Sequence, residues 1–358
     1  MTRPARKLGF ATMMTVGVLV LVELAAWGWE ATNPPLPPTP LPAPGPVDCL
    51  PECMPGVAQM PEQPDGLPRG IPMQQHPTRG WVLPPGVEMV ETGVATRVNA
   101  LSLRGPDVPA ERQPSEVRIL TLGDSSIFGY GVQEQQVFDR VASTILQSFW
   151  RSPVRAINGG TPGYTSVQAL ATLVEVGPVV QPDWVVIGTI WSDLFQTDVP
   201  LTRPPGQRVP LATWRVGTRI LAPWLPARKV GWVDTTRDVG TPAEDRAART
   251  ALEVYTRTLG EIVAETRRLG AKPVFLMLPA PVDLTEDALP PHIETYRQAM
   301  RDAAQAADAP LVDGPAQFKS DGASNAEFYD QIHPSKTGHA RLGSALASTL
   351  SPYKPTTP

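Results

Sequence analysis

The sequence predicts an α/β fold: a three-layer α/β/α sandwich around a central, mostly parallel five-stranded sheet. Three observations predict it. Short β-rich segments recur between residues 116 and 312 and are almost continuously apolar, as parallel strands covered on both faces are. Stretches with apolar residues every third or fourth position lie between them, as in amphipathic helices. The two kinds of segment alternate, and alternation of that sort builds a parallel sheet with helices on its faces.

The strands are expected at Glu116–Leu122, Val154–Ile157, Trp184–Gly188, Pro273–Leu278 and Pro310–Val312. After the first, Val137, Val141, Ile145 and Phe149 recur every four residues and predict a helix. Leu252, Tyr255, Leu259, Ile262 and Leu269 predict a second. Its start reads as a capping box at Thr241-Pro242-Ala243-Glu244, with proline at the first helical position, and Gly270 reads as its stop. Further helices are expected at Pro291–Ala307 and Ser335–Leu350. Residues 195–240 break the alternation and carry Trp214, Trp224 and Trp232. They read as an insertion that either borders the site or packs as a surface excursion. Ligands of open parallel sheets bind beyond the carboxyl ends of the strands, so chemistry is expected in those loops.

The N-terminal part differs in kind. Of the 43 prolines in 358 residues, 17 lie between Pro34 and Pro85. Before them, Arg3, Arg6 and Lys7 precede a 22-residue run from Leu8 to Trp29 interrupted only by Thr12, Thr15 and Glu23. About 20 apolar residues suffice to cross a bilayer as a helix, and the basic flank stays on the cytoplasmic side. The length of the run and the poor Ala25-Ala26-Trp27 cleavage site favour a retained anchor over a cleaved signal peptide. The expected organisation is an anchor or signal segment at 1–30, a proline-rich extracytoplasmic linker at 31–80, one domain at 81–352 and a tail at 353–358. Pro34-Pro35-Leu36-Pro37-Pro38 suits extended polyproline II. Both cysteines, Cys49 and Cys53, fall in the linker. They read as a local disulfide or free thiols, since metal binding needs more ligands than the nearby His76 supplies.

Charge is almost balanced, with 31 Lys+Arg against 35 Asp+Glu and a net charge of −4. That argues against a nucleic-acid binder. With no cysteine after residue 53, the domain offers no thiol nucleophile.

The candidate chemistry lies at the two ends of the domain. The first strand runs into Gly123-Asp124-Ser125, which puts a serine at the strand's rim. Near the C-terminus stands Asp330-Gln331-Ile332-His333-Pro334. An aspartate three residues before a histidine can reach Nδ1, fix the tautomer and leave Nε2 to take a serine proton. The other histidines, His76 in the linker, His292 at a helix start and His339 on the last helix, lack such a partner in sequence. Asp124 reads as a turn-shaping residue and Asp193 as a structural carboxylate. The G-x-S-x-G elbow of α/β-hydrolases is absent, because Ser126 and Ile127 follow Ser125.

Gly123-Asp124-Ser125, Gly163 within Asn158-Gly-Gly-Thr-Pro-Gly-Tyr-Thr, and Asp330-x-x-His333 together resemble the SGNH (GDSL-type) hydrolase superfamily, over residues 116–350. The resemblance implies a flavodoxin-like sandwich with Ser125 as nucleophile, His333 as base and Asp330 as its orienter. It implies an oxyanion hole built from the Ser125 and Gly163 N–H groups and a third donor. The family's third block ends in Gly-x-Asn-Asp; here Ser192 occupies the asparagine position, before Asp193. Ser192 may therefore serve as donor, Trp191 may assist, or the member may be slow or non-catalytic. No metal or cofactor is implied. The expected function is an extracytoplasmic serine esterase that hydrolyses or transfers an acyl group through an acyl-enzyme. Expected partners are an acylated small molecule, polysaccharide or lipid ester of the cell envelope, and the membrane. The alternative is a non-catalytic or weakly active glycan-binding module.

Overall fold

A computed structural model of the chain describes residues 18, 20–26, 28, 58–59, 71, 73–91, 93–194, 250–285, 289 and 291–354. The chain divides into two units, residues 1–39 with 206–229 and residues 40–205 with 230–358. In the first unit residues 18, 20–26 and 28 are helical, with Val18, Val20, Leu21, Val22 and Leu24 exposed. Among the described residues no helix is long and apolar enough to cross a membrane. Most of the run before Val18, Pro34–Pro38, both cysteines, Trp214, Trp224, Trp232 and the Thr241–Glu244 capping box lie outside the described residues.

The second unit opens with two antiparallel hairpins, β1 (Gln74–His76) with β2 (Gly80–Val82) and β3 (Glu88–Glu91) with β4 (Val94–Arg97). The central sheet follows: β5 (Val117–Gly123), β6 (Val154–Gly160), β7 (Trp184–Gly188), β8 (Lys272–Met277) and β9 (Leu311–Asp313). Its order is β6-β5-β7-β8-β9, and every neighbouring pair is parallel. β5 and β7 are buried along their whole length; β7 is apolar throughout, and β5 is interrupted only by Arg118 and Thr121, both buried. The chain steps from β5 to one side for β6 and returns to the other side for β7. That reversal opens the crevice beyond the carboxyl end of β5.

The helices are α1 (Ser125–Phe128), α2 (Phe138–Trp150), α3 (Ser166–Val180), α4 (Trp191–Leu194), α5 (Leu252–Arg268), α6 (Pro291–Ala306), α7 (Gly314–Ser320) and α8 (Lys336–Leu350). α2 packs on α8, and α5 packs on both α3 and α6, so the longer helices form two groups flanking the sheet. A second, smaller core joins Ile71, Met73, Trp81, Leu83, Val98, Phe128, Tyr130 and Tyr164.

Four expectations need correction. The expected stripe of α2 is only partly right: Phe138, Ala142, Leu146 and Trp150 form its buried face, Val137 is buried just before the helix, Ile145 packs at the core's edge, and Phe149 is 67% exposed. His76 belongs to β1, not to a free linker; its Nε2 lies 3.4 Å from Glu175 on α3. Ordered chain reaches ahead of Trp81, and the Ala58 N–H donates to Phe328 O at 2.8 Å. His339 is fully buried, not on a helix surface. Helix α3 has no counterpart among the expected elements. Its Gly177, Pro178 and several valines are poor helix formers, and it is too apolar to show a polar face.

Candidate active site

Ser125 begins α1 directly after β5. Asp124 caps that turn: its Oδ1 accepts the Ser126 N–H at 3.0 Å, and its Oδ2 accepts the Ser192 N–H at 3.2 Å. One fully buried carboxylate therefore ties the serine turn to the end of β7. Burial pushes the Asp124 carboxyl up, against the opposing pull of those N–H groups and of His333.

The turn sits on a floor of glycines at the strand ends. Gly123 is in register with Gly160 on one side and Gly188 on the other. A Cβ on Gly160 would run into the Phe128 nitrogen and stand 2.8 Å from the Ile127 carbonyl carbon. Only glycine allows α1 to lie so close to β6. Arg104, 2% exposed, closes the far end of the turn. Its guanidinium donates to the carbonyls of Phe128 at 2.7 Å, Gly129 at 2.6 Å and Val132 at 2.5 Å. The Asn158 amide donates to Ile127 O at 2.9 Å and to the Asp139 carboxylate at 2.9 Å.

His333 arrives from the loop before α8. Its Nε2 lies 2.7 Å from Ser125 Oγ, and its Nδ1 lies 2.6 Å from Asp330 Oδ2. Asp330 Oδ1 also accepts the N–H groups of Ile332 at 2.9 Å and His333 at 2.8 Å, so the Asp-x-x-His turn is self-closing. Burial raises the Asp330 carboxyl, but the charge and ring hydrogen bond of His333 and those two N–H groups outweigh it. The group is held below the ordinary carboxylate range. The Ser126 hydroxyl donates to Ile332 O at 2.8 Å, fastening the histidine loop to the serine turn. Tyr130 lies over the imidazole, ring centroids 4.9 Å apart. An imidazole oriented by a carboxylate and facing a serine hydroxyl can accept the serine's proton.

The structure thus brings Ser125, His333 and Asp330 together. Gly163 has φ +79 and follows Thr161, whose N–H donates to Gly123 O at 3.1 Å, so its loop starts beside the serine turn. Ser192 is 6% exposed in α4 and is tied to Asp124 by its backbone. Trp191 packs in the core with the Arg297 guanidinium 5.6 Å from its ring centre. Asp193 is structural: its carboxylate accepts the Ser166 N–H at 2.9 Å and the Ser166 hydroxyl at 2.7 Å, at the start of α3. Burial lifts it to about 6. Among the described residues no cluster of three or more metal-binding side chains occurs.

Ser126, Arg104, Tyr130 and Asp124's bridge to Ser192 could not be identified from sequence. Each acts through a partner more than 20 residues away, or through backbone atoms that carry no sequence signal.

Residues 230–341 match the GDSL-like Lipase/Acylhydrolase family, a stretch that holds Asp330 and His333 and follows Ser125 and Gly163. No curated protein matches the chain. Among solved structures it is similar to LAE5, an alpha/beta hydrolase from the metagenome of Lake Arreo, Spain, at 18% identity and TM-score 0.45, covering 67% of this chain and 97% of that one. It is also similar to Axe2, an acetylxylan esterase from Geobacillus stearothermophilus, at 20% identity and TM-score 0.43, covering 65% and 94%. A lipase/acylhydrolase from Enterococcus faecalis aligns at 16% identity and TM-score 0.43, covering 66% and 96%. The site has the geometry of a Ser-His-Asp triad, set at the carboxyl end of a parallel five-stranded sheet.

Proposed function

We propose that the protein is an extracytoplasmic esterase that hydrolyses or transfers an acyl group through a Ser125–His333–Asp330 triad. The observation that carries the reading is the unbroken relay from Ser125 Oγ to His333 Nε2 at 2.7 Å and from His333 Nδ1 to Asp330 at 2.6 Å. Ser125 Oγ attacks the ester carbonyl as His333 takes its proton. Asp330 stays ionised, accepts a hydrogen bond from the Nδ1–H and stabilises the imidazolium. The tetrahedral oxyanion rests on the Ser125 and Gly163 N–H groups, with the Ser192 hydroxyl as third donor in place of a carboxamide. His333 then protonates the departing alcohol, leaving an acyl-serine. Water, or a sugar hydroxyl in the transfer reaction, attacks that ester while His333 takes its proton; the second tetrahedral intermediate then collapses, the acyl–oxygen bond to Ser125 breaks, and His333 returns the proton to Ser125 Oγ.

An envelope substrate, either an acylated polysaccharide or a lipid ester, follows from the proposed location. That location rests on the basic start, the apolar run and the exposed Val18, Val20, Leu21, Val22 and Leu24 of the N-terminal helix. A helix that presents apolar side chains outward suits a lipid surrounding.

The test is hydrolysis of a short-chain chromogenic ester. Ser125→Ala should lower kcat by at least ~10³-fold with the fold retained. Equal cleavage by both proteins would refute the triad. If neither protein cleaves and both retain an acylated glycan, the molecule is a binding module.

A further inference from the structure

We propose that Trp81, on the first hairpin, is a positioning residue that aims the Gly163 N–H at the oxyanion. The inference rests on the reading of Gly163 as an oxyanion donor. Thr161-Pro162-Gly163-Tyr164 form a turn closed by the Tyr164 N–H on Thr161 O at 3.0 Å, with Gly163 at φ +79. Proline in the second place and a glycine near +80° in the third define a type II turn. The Pro162 carbonyl and the Gly163 N–H belong to one planar peptide unit and point in opposite directions. The Trp81 indole N–H donates to that carbonyl at 3.3 Å. Holding the Pro162 oxygen therefore fixes the direction of the Gly163 N–H. A type I turn differs from type II by a flip of this same peptide, which would turn the N–H away, and the Trp81 bond opposes the flip. Donation to the carbonyl also polarises the amide and strengthens its N–H as a donor.

Trp81 is itself held firmly. It is 5% exposed, its ring meets Tyr164 edge-on at 5.7 Å, and its carbonyl accepts the Tyr164 hydroxyl. The same small core contains Tyr130, which lies over His333. The hairpin thus shares one small core with the residue that covers His333. At its other end, Arg79 and His76 pair with Glu175 at 3.0 and 3.4 Å, away from Pro162.

Trp81→Phe keeps an aromatic ring in the core and removes the donor. It should lower kcat on a short-chain chromogenic ester about tenfold, less than the ~10²–10³ that loss of a whole oxyanion donor costs. KM should stay within about twofold, because the interaction is made in the transition state. Affinity for phenylboronic acid, which forms a tetrahedral adduct on a nucleophilic serine, should fall by about the same factor as kcat. Tyr164→Phe, which frees the Trp81 carbonyl, should lower kcat in the same sense. Glu175→Gln loosens the hairpin at its far end; it should lower Tm and leave kcat within about twofold. Unchanged kcat and boronate affinity in Trp81→Phe would overturn the proposal, as would an equal loss of kcat in Glu175→Gln. Both of those results leave the triad standing. Full activity in Ser125→Ala would instead remove the triad and this proposal together.

Discussion

Asp330 and His339 are ionisable residues with opposite responses to burial. Asp330 is buried among donors and stays ionised, because His333 and two N–H groups pay back its desolvation. Asp330→Asn should leave the backbone intact and cut kcat by about 10⁴, since the amide favours the wrong imidazole tautomer. Stability should follow the same group: its contribution is present above about pH 3.9 and is lost as pH falls through the lower folded value. His339 has no such support. Burial, with the charges of Arg104 and His333, lowers it to about 3, and it accepts the Phe138 N–H at 3.3 Å through Nδ1. The unfolded chain binds a proton there below about pH 6.5 that the folded chain refuses, so stability falls as pH drops from 6.5. Asp193, raised to about 6, acts in the opposite direction. A comparison with His339→Asn, whose Oδ1 can still accept the Phe138 N–H, isolates the histidine. The Tm advantage of wild type over that variant should shrink between pH 7 and about pH 4.5. A constant gap would assign the acid sensitivity elsewhere. The pairing of Asp330 with His333 was legible in the sequence because they stand three positions apart in a turn. The burial of His339 was not, because it depends on α2 packing over α8.

Elements were legible where one rule dominated. β7 is apolar throughout and β5 nearly so, broken only by Arg118 and Thr121, and a strand covered on both faces satisfies that pattern. The apolar series 137, 141, 145 and 149 gave the correct period but not the centre of the buried face: Val137 is buried and Ile145 packs at the core's edge, while Phe149 is exposed. The adjacent series 138, 142, 146 and 150 is equally periodic, and only contact with α8 decides between them. α3 was hidden by residues that favour strands and turns, and tertiary packing overrides that preference. Short elements depend on close approach instead. Gly160→Ala should push α1 off β6, costing about 1–3 kcal/mol of stability by overpacking and lowering kcat through the displaced Ser125. Arg104→Leu should cost more, about 3 kcal/mol or above, because three buried carbonyls lose their donor at once. Chemical denaturation midpoints measure both; a surface-like change of a few tenths of a kcal/mol in Arg104→Leu would contradict the assigned role.

Across the whole molecule, proline content concealed an ordered segment. The residues before Trp81 are proline-rich, yet Ile71 and Met73 are buried and join Trp81 and Leu83 in the second core. Strands of three and four residues carry too little pattern to stand out in such a sequence. Truncation separates linker from fold. A chain beginning at residue 57 should fold and keep its activity. One beginning at residue 84 loses the buried side chains of Ile71, Met73, Trp81, Val82 and Leu83, worth about 1.5–3 kcal/mol each and comparable with the ~5–15 kcal/mol of a whole domain, and should not fold. Cooperative melting of the shorter chain with full activity would show that the first hairpin is dispensable. If the N-terminal helix is an anchor, the full chain should sediment with membranes after a high-salt wash, and its domain should be cut by protease added from the extracytoplasmic side. A soluble full-length chain would contradict the proposed anchor.

The central claim is that Ser125 is a nucleophile activated by His333. Its most direct test is covalent labelling by a fluorophosphonate followed by mass spectrometry of the intact chain and its peptides. One adduct per chain is predicted, located on Ser125, absent in Ser125→Ala and slowed at least ~10³-fold in His333→Ala. Labelling of Ser125→Ala at the wild-type rate, or an adduct on any other residue, would contradict it.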